Sequence, residues 1–337
     1  MTDSKQTNHL DREAILAKAA GFQGACIIGA AAELDLWTVI GDRALSVEEI
    51  ATALDADRRG TRILLDAVAA LGLLDKEDER YRVAPELRPV LSADSPQSIL
   101  PMLHHQMNLV RSWSQLARIV KEGVVPPCEA SIRGAEADRA SFIAAMHVVS
   151  GPIAPQVVAK MQPLEFRHLL DVGGASGTWT IAFLEAVKDA RATIFDLPDG
   201  IEQARARFAA GPLADRVDFA AGDFYQDELP SGADFAWVSA IIHQHAREDS
   251  RELFAKTYRA LVPGGMVAIR DFVMEPCRTR PIGGAMFAVN MLANTDHGGT
   301  FTFEETAEDL RSAGFENPQL RVPSEEMSAV IVAHKPK

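Results

Sequence analysis

The chain has 337 residues, 47% of them hydrophobic and 24% charged, and a formal net charge of −13. That length allows about two domains and a large core, and the composition is that of a soluble globular protein. The acidic balance argues against a nucleic-acid partner, since phosphate binding relies on clustered Lys and Arg. Three scattered cysteines, Cys26, Cys128 and Cys277, make neither a disulfide framework nor a zinc set. Residues 1–6 lack the basic and apolar regions of a signal peptide, and no apolar run approaches the length of a membrane span, so a cytoplasmic location is expected.

In chain order, residues 12–100 read as mainly helical. Residues 14–36 are rich in Ala, Ile and Leu. Ser46, with Glu49 three residues on, forms a capping-box start for a helix through Ile50 and Leu54. A second helix runs through Ile63, Leu65, Val68 and Leu71 to Gly72. Residues 73–75, a charged turn at 76–80 and residues 81–83 then read as a β-hairpin. Helix, turn, helix and hairpin is a winged-helix order. Arg58, Arg59 and Arg62 open the second helix, where base contacts would be made. Asp55, Asp57 and Asp66 surround them, and the wing carries Asp75, Glu77, Asp78 and Glu79. This acidic setting favours a dimerisation role over a DNA reader.

Residues 101–165 read as connecting helices that roof a ligand site, with Met102, Met107, Leu109 and Trp113 at helical spacing beside His104 and His105. The paired histidines lack a third ligand, so no metal site is expected. A loop follows at 123–127, then a helix at 139–146 leading through His147 and Ser150.

Residues 166–337 alternate strand and helix, which predicts an α/β domain with a mostly parallel seven-stranded sheet. Strands are predicted at 168–173, 192–197, 217–222, 234–242, 265–273, 318–323 and 328–334, and helices at 178–188, 199–209, 247–261 and 303–313. The first strand opens into a glycine turn holding Gly173, Gly174 and Gly177. A dinucleotide fingerprint would need glycine where Ala175 and Thr178 stand, so that pattern fails. Ligands of open α/β sheets bind beyond the carboxyl ends of the strands. There the second strand ends in Asp196, the third leads to Asp223 and Phe224, the fourth delivers His243, and the fifth ends near Asp271.

These motifs, with Leu261-Val262-Pro263-Gly264-Gly265 and Ser312-Ala313-Gly314-Phe315, resemble a small-molecule O-methyltransferase family over roughly residues 12–335. In that family a winged-helix dimerisation domain precedes a Rossmann-like domain that binds S-adenosylmethionine (SAM). The resemblance implies a dimerisation domain at 12–100, connecting helices at 101–165 and a methyltransferase domain at 166–337, in a homodimer. It implies SAM as cofactor, S-adenosylhomocysteine as product, and no metal. Gly173 and Gly174 would lie against the methionine portion, with Ser150 near its carboxylate. Asp196 would hold the ribose, Asp223 and Phe224 the adenine, and Asp171, Leu197 and Ser239 would complete the cofactor site. His243 matches the general base, and Trp113, Phe142, Met146, Met286, Met291 and Asn294 match or neighbour acceptor-pocket positions.

Three departures stand out. Ala175 replaces the usual central glycine, Gln244-His245 replaces Asp-Trp after the base, and Thr300, Phe301 and Thr302 stand where an orienting acid is common. Asp271 takes the other flanking acidic position, and His245 is a second candidate base. The expected reaction is methylation of a phenolic hydroxyl of a mid-sized aromatic natural product. Methylation at nitrogen or carbon, a non-methylating use of SAM, and a small-molecule-sensing winged-helix regulator are the alternatives. An NAD-linked oxidoreductase is disfavoured by the glycine spacing.

Overall fold

A computed structural model describes residues 9–127, 129–209 and 211–337, so Cys128 and residues 1–6 lie outside the described residues. Two compact units divide the chain, Met1–Asn108 with Ala130–Phe142, and Leu109–Glu129 with Ile143–Lys337.

The first unit contains α1 (Arg12–Ala20), α2 (Phe22–Glu33), α3 (Leu36–Ile40), β1 (Leu45–Ser46), α4 (Val47–Ala53), α5 (Arg58–Ala70), β2 (Asp75–Glu77), β3 (Arg80–Arg82) and α6 (Arg88–Leu91). The expected capping box opens α4, with the Ser46 hydroxyl taking the Glu49 N–H. Asp57 caps α5, and two of the arginines behind it are paired, Arg58 with Glu48 and Arg62 with Glu79. The hairpin is tighter than its charges indicated. Asp78 adopts a left-handed φ of 53°, so Lys76, Glu77 and Arg80 lie in strands rather than in the turn. β1 adds to β3 as a third strand that the sequence did not announce. Trp37, Ile40, Ile50, Leu65 and Tyr81 fill the core. α1 buries none of its residues, and Leu10, Ile15, Leu16 and Phe22 are exposed.

α7 (Leu100–Trp113) and α9 (Ala135–Met161) run from one unit into the other, and α8 (Leu116–Glu122) belongs to the second. The stretches Arg12–Glu33 and Ala135–Met161 are long and apolar enough, by length and composition, to cross a membrane. This corrects the expectation that no run reaches that length. Gly21 keeps helical angles, so α1 and α2 continue through it.

The second unit continues with β4 (His168–Val172), α10 (Thr178–Ala186), β5 (Arg191–Asp196), α11 (Pro198–Phe208), β6 (Val217–Ala221), β7 (Ala233–Ser239), α12 (Arg247–Ala260), β8 (Leu261–Asp271), β9 (Val273–Met274), α13 (Ile282–Asn294), β10 (Phe301–Thr302), α14 (Phe303–Ser312), β11 (Glu316–Val322) and β12 (Ala329–His334). The seven-stranded sheet has the order β11-β12-β8-β7-β4-β5-β6. β4 to β8 are parallel, and β12 and β11 are added antiparallel. Burial on both faces explains the continuous apolar runs of the central strands.

Three features differ from the sequence reading. β7 stops at Ser239, because Ala240 turns left-handed at φ 58°, and a 3-10 turn at Ile242–Gln244 follows. β8 begins at Leu261, directly after α12, with a register shift against β7. α13 was not foreseen, since Gly283 and Gly284 near its start mask a helical sequence.

Candidate active site

The turn after β4 is built from left-handed residues: Gly173 at φ 66°, Ala175 at 43° and Gly177 at 73°. Gly173 has no substitute here, as an added Cβ would lie 2.1 Å from Ile241 Cδ1. Asp171 stands near the end of β4. It is 1% exposed and accepts the Thr180 hydroxyl at 2.6 Å, and burial pushes its pKa up to about 7. Through Thr180 it ties the end of β4 to α10 behind the glycine turn. Asp196, at the end of β5, accepts the Ala175 N–H at 2.6 Å and the Leu197 N–H at 2.7 Å. Burial raises its pKa, and those two backbone donors work against the rise. A carboxylate accepts about four bonds, so Asp196 retains capacity for a ligand. Leu197 is exposed and leads into α11.

Beyond β6, Asp223 accepts the Tyr225 N–H at 2.9 Å and the Gln226 side chain at 3.2 Å. The loop is pinned from α12 by Lys256, a buried ammonium donating to the carbonyls of Phe224 (2.7 Å), Asp227 (2.9 Å) and Tyr225 (3.2 Å). The rings of Phe224, Tyr225 and His245 form one group. His245 Nδ1 and the Tyr225 hydroxyl are hydrogen-bonded, while His245 Nε2 has no partner among the described residues and burial lowers the pKa of the ring. The second candidate base thus belongs to the group at the end of β6.

His243 lies in the 3-10 turn, 5% exposed. Its Nδ1 donates to Asp271 Oδ2 at 2.8 Å and Oδ1 at 3.0 Å. A carboxylate can only accept, so the proton sits on Nδ1 and the lone pair of the neutral ring on Nε2. The Phe272 N–H fixes Asp271 at 2.8 Å, Phe287 of α13 meets the imidazole edge-on at 4.8 Å, and Gly299 N–H donates to the His243 carbonyl at 2.8 Å. Thr300 and Thr302 bring no carboxylate to this ring.

α13 carries Phe287, Asn290, Met291 and Asn294 on one face, from their helical spacing. Trp113 Nε1 donates to Asn290 Oδ1 at 2.9 Å, and Asn294 Nδ2 donates to Asn290 O at 2.8 Å and Oδ1 at 3.1 Å. Met291 is buried and Met286 exposed. Met146 and Ser150 are half-buried on α9 in the same unit, whereas Phe142 falls in the first unit and meets His105 there. One turn before Ser150, His147 accepts from Arg207 at 3.0 Å and donates from Nδ1 to Thr178 Oγ1 at 2.9 Å. Ser239 accepts from Arg270 at 3.0 Å. Among the described residues no three His, Cys, Asp or Glu side chains gather to hold a metal.

Lys256, Arg270, Phe287 and Asn290 escaped the sequence reading. Lys256 alone carried a local signal, a lysine on the apolar stripe of Leu253, Phe254 and Thr257.

Residues 19–86 match an O-methyltransferase dimerisation domain and residues 122–316 an O-methyltransferase domain. Over 307 residues, 89% of this chain and 90% of the relative, the chain is 30% identical to the tetracenomycin polyketide synthesis 8-O-methyl transferase TcmO of Streptomyces glaucescens. It is 29% identical over 301 residues to the 3-hydroxy-5-methyl-1-naphthoate 3-O-methyltransferase of Streptomyces sahachiroi, covering 88% and 87% of the two chains. The crystal structure of human N-acetylserotonin methyltransferase in complex with SAM superposes with a TM-score of 0.81 at 26% identity, covering 100% of both chains. The polar groups here suit such a cofactor: acceptors at the ends of β5 and β6 for a nucleoside, an open glycine turn, and the buried donors Arg270 Nε and Trp237 Nε1 without partners among the described residues. The chain belongs to the SAM-dependent O-methyltransferase family.

Proposed function

We propose that this enzyme methylates a phenolic hydroxyl of a mid-sized aromatic natural product, with His243 as general base. The observation that carries the reading is the buried His243–Asp271 pair, whose geometry leaves Nε2 as the free basic nitrogen. SAM, when bound, supplies a methyl group already activated by its sulfonium. The protein must then align the acceptor oxygen and remove its proton. A phenol has a pKa of about 10 and an ordinary imidazole one of about 6.5, so a positioned imidazole is a suitable base near neutral pH. Asp271 keeps the ring in the required tautomer.

Gly173, Gly174 and Ser150 take the methionine portion, Asp196 and Leu197 the ribose, Asp223 and Phe224 the adenine, and Ser239 lines the same wall. Met146, Met286 and Met291 supply apolar contact for the acceptor. Asn290 and Asn294, held to each other and to Trp113, orient its polar groups. The names of the Streptomyces relatives, which act on a polyketide and a naphthoate, support an aromatic acceptor. The dimerisation-domain match and the exposed apolar residues of α1 and α2 support a homodimer, with Arg12–Glu33 as subunit contact rather than membrane span. Free Cys26 and Cys277 fit the reducing cytoplasm.

The test is a screen of phenolic acceptors with SAM, followed by mass analysis of the product for one added methyl on oxygen. His243→Ala is expected to keep S-adenosylhomocysteine affinity within twofold and to lower kcat about 10²-fold. Near-normal turnover rejects His243 as base, and methylation at nitrogen or carbon rejects the hydroxyl acceptor.

A further inference from the structure

We infer that Arg270 is the residue that receives the carboxylate of the cofactor's amino-acid arm, an inference that rests on the SAM-site reading above. β8 ends with two charged residues on opposite faces of the sheet. Asp271 turns to His243, and Arg270 turns to the face that carries α9 and α10. Arg270 is 2% exposed. It lies beside Ser239 in register and donates from Nη1 to that neutral hydroxyl at 3.0 Å. Its guanidinium lies over the Trp179 ring at 4.7 Å, its Nε has no acceptor, and it enters no ion pair among the described residues.

Such a group is costly. Burial pulls the guanidinium down to about 10, still protonated at neutral pH, so the charge has to be met rather than shed. A second orphan donor belongs to the same cluster: Trp237 Nε1, fully buried, with its ring 5.0 Å from Trp179. A planar fork of N–H groups with an uncommitted donor matches a carboxylate.

The polarity of the strand ends assigns the anion. The sheet runs β8-β7-β4-β5-β6, so Asp196 and Asp223 stand on one side of the glycine turn and Arg270 on the other. Ribose hydroxyls and an adenine amino group are donors and suit the acids. The carboxylate is the sole anionic group of SAM or S-adenosylhomocysteine, and it lies at the far end from the nucleoside. On α9, Ser150 sits one turn ahead of Ala154, which belongs to the cluster that holds Trp179 and Trp237. The amino-acid arm therefore crosses from the glycine turn towards Ser239 and Arg270.

The experiment titrates the full-length protein with two ligands by calorimetry: S-adenosylhomocysteine, and 5′-methylthioadenosine, which lacks the carboxylate arm. Arg270→Met is expected to weaken S-adenosylhomocysteine at least tenfold and leave 5′-methylthioadenosine within twofold, which also reports an intact nucleoside site. Arg270→Lys, which keeps the charge without the fork, is expected to weaken S-adenosylhomocysteine by a smaller factor, again without touching 5′-methylthioadenosine. This variant decides the matter if the methionine variant does not fold. Equal losses for both ligands, or unchanged S-adenosylhomocysteine affinity, overturn the assignment. Selective loss in Arg207→Met instead moves the carboxylate to the His147–Arg207 cluster and likewise overturns it. If the wild-type protein binds neither ligand, the SAM-site reading itself fails, and this inference with it.

Discussion

At the scale of single residues, position in a motif and direction of the side chain are separate facts. Asp171 and Asp196 both stand at the carboxyl ends of parallel strands, yet Asp171 points into the core at Thr180 while Asp196 reaches the glycine turn. Burial raises the Asp171 pKa to about 7 in the folded chain, against about 3.9 for an unfolded aspartate. Folding therefore favours its protonated form, and that stability is present below about pH 4 and lost as pH rises through about 7. Asp171→Asn keeps an acceptor for Thr180 and cannot ionise. Thermal melts from pH 5 to pH 8 are expected to show the variant gaining on the wild type as pH rises, by roughly 2 kcal/mol at the upper end. Parallel pH profiles would mean that Asp171 does not titrate in this window. Ala175 is the opposite case, a side chain in a left-handed turn where glycine is cheaper by about 1 kcal/mol.

At the scale of elements, the loop between β6 and β7 depends on α12. Lys256 replaces three carbonyl-to-water bonds with bonds to one buried ammonium. Lys256→Met is expected to lower stability by about 2–3 kcal/mol in urea titrations and to weaken 5′-methylthioadenosine several-fold, with kcat at saturating SAM nearly unchanged. Unaltered nucleoside affinity would show that the loop holds its shape without the pin. The central parallel strands of the large sheet were legible because buried parallel strands are apolar runs bounded by Gly, Pro or Asp. The end of β7 was not, since Ile241 and Ile242 prolong the apolar run after Ala240 has already turned the chain. α13 was hidden by its two glycines and its lack of a charged face. The candidate site was legible where it lies at strand ends, as with Asp196, Asp223 and His243. It was illegible where it depends on partners far apart in sequence, as with Trp113 and Asn290, or Ser239 and Arg270.

At the scale of the whole molecule, the charge of −13 coexists with an apolar surface on the first unit. The ion pairs Arg58–Glu48 and Arg62–Glu79 set acids beside the arginines that open α5. The exposed Ile15, Leu16 and Phe22 belong to an apolar surface that suits a second copy of the chain, in keeping with the dimerisation-domain match. Leu16→Glu with Phe22→Glu is expected to shift the species seen by sedimentation from dimer to monomer, and an unchanged sedimentation coefficient would place the interface elsewhere.

α1, in which no residue is fully buried by the described chain, has a practical consequence. A helix that finds its cover on another polypeptide is held by mass action, so diluting the sample loosens it. The melting midpoint should then climb with each tenfold rise in protein concentration, by about 1–3 °C, and heat resistance would be a property of the solution as much as of the sequence.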